Sequence, residues 1–445
     1  MLYVRSMSSH SPLQQLLLNA GIAEMNPLQR EAAVTISSAR NTWIHAPTGS
    51  GKTLAYLLPL LPLLRHEVSN PQAIILSPTR ELALQIREVF RSLQSGFATT
   101  VFYGGHRMRT ELDQLSSPPP VIIGTPGRMA DHLQNQRIDV RQINYLVLDE
   151  FDKCLELGFQ KDMDYILSCL PNLQKRICVS ATGTPEIFSL HGFDGYQSVV
   201  YTQREEASGL SLYHLPFQPD NRLEILYQLL CALSAEMVFV FCARRDDVDT
   251  LHQELLKCGL PNTRFHGALE QADRERAVIR LRQGSARVLV TTDLAARGLD
   301  IPEVRHIIHW DMPRNEEDFR HRNGRTARMQ ASGAAYLMYP IHSSLPDYAA
   351  DISKPFVLPK STPPTLPDKE TLYIPAGRKQ KIRKLDVVGW LLQKGGLQSE
   401  ELSRVDILDD RAYAAVPREK AIGIIQLLQA EPLKKRRVRV VIARD

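Results

Sequence analysis

The chain has 445 residues, of which 43% are hydrophobic and 23% charged, with 54 Lys/Arg set against 49 Asp/Glu. That length is too great for one ordinary core and implies two to four domains of globular composition. The longest apolar run, Leu54 to Leu64, is broken by prolines and falls short of the roughly 18 residues that would span a bilayer, so no membrane is expected as a partner. The six cysteines form no Cys-x-x-Cys pair and most lie in apolar surroundings, as reduced thiols of a cytoplasmic protein do. Charge is spread unevenly: residues 370–445 hold 16 Lys/Arg against 10 Asp/Glu. Clusters at Arg378-Lys379-Gln-Lys381, Arg383-Lys384 and Lys434-Lys-Arg-Arg437 mark a polyanion site in the tail.

In chain order, Met1-Leu-Tyr-Val-Arg-Ser-Met7 lacks the apolar stretch and cleavage site of a signal peptide and reads as a short leader. Residues 42–45, 73–76, 121–123, 145–148 and 176–179 read as strands, each followed by a loop rich in Gly, Pro, Ser or Thr and then a helical pattern. This alternation predicts a parallel sheet covered on both faces, with ligands bound beyond the carboxyl ends of its strands. The pattern restarts after a link around 203–211. Strands are expected over 237–241, 287–291, 304–309 and 334–338, with helices over 246–257 and 273–283 between them. Five prolines between Lys354 and Lys369 read as a linker without regular structure. Beyond it, strand 371–375, helix 385–393, strands 404–408 and 411–416 joined at Asp409-Asp410, helix 419–429 and strand 438–443 follow the β-α-β-β-α-β order of a ferredoxin-like fold.

Two motifs carry nucleotide chemistry. In Ala46-Pro47-Thr48-Gly49-Ser50-Gly51-Lys52-Thr53 the glycines free backbone N–H groups to wrap phosphates, Lys52 reaches the terminal phosphates and the Thr53 hydroxyl can hold Mg²⁺. Asp149-Glu150-Phe151-Asp152 ends an apolar strand, so Asp149 faces the metal and Glu150 sits where a base would orient the attacking water. Together they indicate nucleotide hydrolysis.

From residue 26 to about 340 the motifs, in order, resemble the DEAD-box family of RNA helicases. The resemblance implies an α/β chain of two tandem RecA-like parallel-sheet domains, over 1–205 and 209–353, which use ATP and Mg²⁺. A linker over 354–369 leads to an α+β, RRM-type RNA-binding domain over 370–445, which looks like the tail of the bacterial DbpA-like subgroup. Within Asn26-Pro-Leu-Gln29 the resemblance assigns Gln29 to adenine. The family carries an aromatic 17 residues earlier, where this chain has Pro12. Pro78-Thr79-Arg80, Gly104-Gly105 and Thr125-Pro126-Gly127-Arg128 match the family's RNA-backbone motifs, as do Gln271, Arg274 and Thr291 in the second domain. Hydroxyls, glycine N–H groups and arginines at loop-to-helix junctions suit phosphates and read no bases.

The resemblance further assigns Asp300 to the ribose and Arg325 and Arg328, in His321-Arg-Asn-Gly-Arg-Thr-Ala-Arg328, to the γ-phosphate as arginine fingers. Ser180, Thr182, Asp152 and His321 would couple nucleotide to RNA. Arg322, Arg325 and Arg328 lie three residues apart and would repel one another unless anions or carboxylates face them. Phe151 stands where the family usually has alanine, and Asn323 and Ala327 replace residues commonly Ile and Gly. The expected activity is ATP-dependent separation of short RNA duplexes by a monomer, on structured ribosomal RNA. A DNA-remodelling helicase and an ATP-gated RNA clamp with blunted hydrolysis are the alternatives. In the tail, Tyr373, Tyr413 and Trp390 are the aromatics available for base stacking, and basic loops are the other route to RNA.

Overall fold

The computed structural model describes residues 12–47, 49–68, 70–105, 108–181, 195–201, 209–233, 236–293, 304–326, 333–350, 353–359 and 363–444. The chain divides into two compact units, Met1–Arg204 and Glu205–Asp445. The leader and most of the link around 203–211 lie outside the described residues.

In the first unit, strands β1 (Asn41–His45), β2 (Ala73–Leu76), β3 (Thr99–Phe102), β4 (Val121–Gly124), β5 (Tyr145–Leu148), β6 (Lys175–Ser180) and β7 (Gln197–Val200) form one sheet in the order β3-β4-β2-β5-β6-β1-β7. Every pairing is parallel. Strands β2, β4 and β5 are buried at every position, because both faces of the sheet are covered. Alternate residues therefore feed two cores. Ile75, Val121, Ile123 and Val147 pack with the helix Lys52–Leu60 on one side, and Ile74, Leu76, Ile122 and Leu146 pack with Met129 and Met163 on the other. Phe151 is fully buried in this second core, beside Leu148 and Cys154. Its ring is thus placed against the sheet, where it fills space and leaves the catalytic loop clear.

The second unit repeats the plan with β8 (Leu210–Phe217), β9 (Val238–Cys242), β10 (Asn262–Phe265), β11 (Val288–Thr292), β12 (His306–His309), β13 (Gly333–Pro340) and β14 (Lys354–Pro355), ordered β10-β11-β9-β12-β13-β8-β14. Three of these, β8, β10 and β14, are absent from the sequence reading, the last two for opposite reasons. Strand β10 opens with Asn262 and Thr263, both fully buried, and Asn262 is accommodated only through His252 at 2.6 Å and the Leu260 carbonyl at 3.0 Å. Strand β14 falls inside the proline-rich segment read as unstructured, and pairs with β8 at the sheet edge, where proline is tolerated.

The tail adds β15 (Lys369–Ile374), β16 (Val405–Ile407), β17 (Ala412–Pro417) and β18 (Val441–Ile442), an antiparallel sheet ordered β16-β17-β15-β18. One face, through Leu372, Ile374, Ala412, Ala414 and Val416, packs on the helices Lys384–Gln393 and Ala421–Ala430 with Trp390. The other face docks within its own unit on the helix Gln271–Arg282. Tyr413 and Tyr373 lie against Ile279 there, and Tyr413 is fully buried. Thr371 hydrogen-bonds Ser285 at 2.7 Å and Gln283 at 3.0 Å, Gln283 also donates to Asp406 at 2.9 Å, and Arg287 pairs with Asp368 at 3.2 Å. The aromatics that could have stacked bases are therefore committed to protein.

Phe151→Ala, which restores the residue usual at that position of the motif, should cost the first unit about 3–5 kcal/mol by emptying a core site. Urea denaturation of the variant beside the natural protein would measure the loss.

Candidate nucleotide and RNA-backbone site

Parallel pairing brings the motif loops to one edge of the first sheet, and strand order sorts them. The neighbours β5, β6 and β1 end in Asp149, Ser180 and the loop from Ala46, while β2, β3 and β4 lead to Thr79, Gly104 and Thr125. In the phosphate loop Gly49 and Gly51 hold φ of +87° and +84°, a left-handed conformation that costs other residues free energy. A Cβ on Gly51 would also lie 2.6 Å from Gln29 Nε2, so a side chain there would push the Gln29 amide from its place beside the loop. Lys52 is buried and its Nζ donates to the Ala46 carbonyl at 2.9 Å. Asn26 and Gln29 form a reciprocal cap on the helix Pro27–Ser38, and Asn26 Nδ2 donates to the Ser50 carbonyl at 2.9 Å. Gln29 is 5% exposed, with Oε1 accepting from Asn26 N–H and Nε2 directed at the Gly51 carbonyl. In this conformation its amide serves the loop.

Asp149 is 5% exposed and both its oxygens are engaged: Oδ1 accepts the Glu150 N–H at 3.0 Å, and Oδ2 accepts the Tyr56 hydroxyl at 3.1 Å. Burial first, and then the Glu150 carboxylate, push its carboxyl up to about 7, with Lys52 opposing. Burial, and then Asp149, hold the Tyr56 phenol well above its ordinary range, so it remains a donor. Glu150 caps the helix Phe151–Glu156 in a left-handed conformation, φ 45° and ψ 51°, which is strained for a residue with a side chain. Its Oε2 is buried without a hydrogen-bond partner. An orphaned carboxylate oxygen next to a second carboxylate, facing a glycine cradle and a lysine, has the donor chemistry of a site for a cation and phosphates.

Asp152 accepts from the backbone N–H of Ala181 at 3.2 Å and of Lys153 at 3.0 Å, tying the acidic motif to the end of β6. The Ser180 hydroxyl accepts from the Trp43 indole at 2.9 Å, so β1 and β6 are joined by side chains as well as by their ladder. Thr48, Thr182, Asp300 and Arg328 lie outside the described residues.

Among the RNA-motif residues, Pro78 and Pro126 are buried, whereas Gly104 and Gly105 are exposed. Thr79 caps the helix Arg80–Ser92 by accepting from Leu82 N–H at 3.3 Å, and Arg80 lies over the Tyr103 ring at 4.0 Å. Thr125 starts the helix Pro126–Gln134, beside Gly127, without spending its hydroxyl on a cap. Arg128 pairs through Nε with the fully buried Glu111 at 2.7 Å, and His132 reaches the same oxygen at 2.8 Å. In the second unit Arg274 Nε donates to the Leu269 carbonyl at 3.1 Å, and Gln271 donates to Glu275 at 2.9 Å. Thr291 is fully buried and its hydroxyl donates to the Phe265 carbonyl at 2.9 Å, so the pleat turns it away from solvent and brings the half-buried Thr292 outward.

Arg322 does meet the expected carboxylate. It is 2% exposed and forks onto Asp293, with Nη2 to Oδ2 at 2.8 Å and Nη1 to the Asp311 carbonyl at 2.6 Å. The departure at Asn323 is absorbed by His309, whose Nε2 donates to Asn323 Oδ1 at 3.0 Å while burial, and then the Arg322 charge, keep its pKa well below the histidine range. His321 lies 3.7 Å from Glu317, and Arg325 is half-buried just beyond the helix Glu316–Asn323.

Residues 26–189 match the DEAD/DEAH box helicase family, 221–330 the helicase conserved C-terminal domain and 371–442 the DbpA RNA binding domain. The chain is 32% identical to the ATP-dependent RNA helicase DbpA of Escherichia coli, over 96% of this chain and 97% of that protein. It is 28% identical to the protein of that name from Bacillus subtilis, over 97% of each. This chain belongs to the DEAD-box ATP-dependent RNA helicases. Its fold is similar to that of S. cerevisiae Dbp5 bound to RNA and ADP BeF3, with a TM-score of 0.69 at 24% identity, covering 78% of this chain and 94% of that one.

Four residues of this helicase's site went unread in the sequence: Tyr56, Trp43, Glu111 and His132. Tyr56 carried a detectable signal, since it lies four residues after Lys52 on a helix and so shares its face. The others act through strand and helix packing that spacing alone does not encode.

Because Asp149 holds its proton in the folded chain up to about pH 7 but loses it near 3.8 when unfolded, folding should weaken as pH rises between those values and level off above them. Without nucleotide or divalent ions, Asp149→Asn should remove this component and be stabilised most, relative to the natural protein, above pH 7. Melting curves of both across pH 5–8 in EDTA would check it.

Proposed function

We propose that this helicase separates short RNA duplexes locally, as a monomer, at structured ribosomal RNA of the assembling large subunit. The observation that carries the reading is the sorting of nucleotide and RNA-backbone loops along one sheet edge, joined at β2 and β5, where Asp149 N–H donates to the Leu76 carbonyl at 2.8 Å. A phosphate group bound at Thr79 or Thr125 lies on the same rigid frame as Glu150, so RNA occupancy bears on the hydrolytic residues.

Within that reading Ala46 to Thr53, with Gln29 and Asp300, cradle the nucleotide. Asp149 and Thr53 hold Mg²⁺, which neutralises phosphate charge when bound. Glu150 orients the water, and Arg325 and Arg328 face the γ-phosphate, an interaction worth about 10³ to 10⁵ in rate in nucleotide hydrolases. Arg80, Arg128, Arg274, Gly104, Gly105, Thr79 and Thr125 hold the RNA backbone, together with the Thr291-Thr292 pair, of which Thr292 is the more exposed. The buried Glu111 orients Arg128.

The tail's docked sheet face favours its basic loops as the RNA surface. Lys381, Lys434 and Lys435 are held at positive φ, and Lys434 Nζ ties the two turns together through the Lys381 carbonyl at 3.1 Å and Asp386 at 3.0 Å, which leaves Lys435 and Arg437 exposed beside them. ATPase rates with ribosomal RNA hairpins, random RNA and DNA test substrate class and tail together. Hairpins should stimulate best and DNA not at all. Lys435→Glu with Arg437→Glu should erase the preference for hairpins while leaving stimulation by random RNA. Equal stimulation by every RNA in the natural protein would defeat the ribosomal assignment, and stimulation by DNA the RNA assignment. Glu150→Gln should reduce turnover by at least about 100-fold and hold ATP and RNA together; unchanged turnover would remove Glu150 from the role of base.

A further inference from the structure

We propose that Tyr56 is a positioning residue of the nucleotide site, presenting the Asp149 carboxylate to Mg²⁺. The proposal rests on the reading of Asp149 and Thr53 as the residues that hold the ion. Tyr56 lies one helical turn beyond the phosphate loop, four residues after Lys52 and three after Thr53, so its side chain runs along the face that both use. Its ring is fully buried, packed in the core with Ala55, Ile75, Val147 and Val179. A ring held in that way leaves its hydroxyl a single direction, and the hydroxyl donates to Asp149 Oδ2 at 3.1 Å. One phenol thus links the helix that follows the phosphate loop to the end of β5.

Packing alone does not require this group. Phenylalanine would fill the same core volume, whereas burying a hydroxyl is unfavourable unless it is hydrogen-bonded. Here it serves as the second of two donors that hold the Asp149 carboxylate plane, the first being the Glu150 N–H at 3.0 Å. A carboxylate held at both oxygens keeps its remaining lone pairs aimed outward, which is what outer partners of metal-binding groups do. Loss of such a partner lowers metal affinity about 10- to 100-fold.

Tyr56→Phe in the full chain tests the proposal, with affinity for a non-hydrolysable ATP analogue measured by calorimetry in EDTA and in a Mg²⁺ series, and Asp149→Asn as reference. The expected result is wild-type affinity in EDTA, with the Mg²⁺ concentration for half-maximal enhancement raised about 10-fold or more. Asp149→Asn should abolish the enhancement. If Asp149→Asn abolishes it while Tyr56→Phe follows the wild-type curve, the positioning role is overturned and the Mg²⁺ reading stands. If Tyr56→Phe loses affinity equally with and without Mg²⁺, Tyr56 is a structural residue only. Full enhancement in Asp149→Asn would overturn the Mg²⁺ reading and the proposal with it.

Discussion

Parallel pairing commits each strand of the first sheet to deliver its following loop to the same edge, and the rest of the molecule's chemistry depends on that constraint. Loops far apart in the chain, from Ala46 to Ser180, become neighbours because β1, β6 and β5 lie side by side. The carboxyl edge is also where helices begin, so the helices after Thr79 and Thr125 turn their N-termini to the same side as the glycine loop. Neither arrangement needs a specialised fold beyond the alternation of strand and helix.

The same edge stores free energy. Asp149 sits almost out of water beside Glu150, and Glu150 holds a backbone conformation that favours glycine. Two carboxylates crowded into a dry pocket are a poor arrangement for an empty site and a good one for a cation and phosphates. Tyr56 and the Glu150 N–H make the burial tolerable by filling hydrogen-bond sites on Asp149. Departures from the family's usual residues are absorbed in a similar way. Phe151 turns into the core, and Asn323 meets a neutral histidine, so neither alters a charge at the edge.

The tail shows how context redirects a fold. Its four-stranded sheet offers aromatic residues on one face, and in this protein that face is closed by the helix Gln271–Arg282 and the segment after it. Tyr413 contributes burial against Ile279, and its basic loops are left as the exposed cationic surface. An RNA held by the tail is thereby fixed with respect to the second sheet, within one compact unit.

Much of this was legible in the sequence. The apolar runs at 73–76, 121–124 and 145–148 can only be buried on both faces, and Gly49, Gly51, Lys52 and Asp149 have chemistry that survives any detail of packing. Membership of the family and the tail's β-α-β-β-α-β order followed from motifs and periodicity. Strand β10 was hidden because Asn262 and Thr263 look like a loop until His252 is brought beside them. The burial of Thr291 beside a more exposed Thr292 was hidden because spacing does not say which of two adjacent threonines faces solvent. The sequence by itself determined the chemistry of the nucleotide loops and the order of the elements, since these reside in residue type and local period. Tertiary structure alone decided that Tyr56 meets Asp149, that Phe151 leaves the site and that the tail's aromatics face protein, because each depends on contacts between segments distant in the chain.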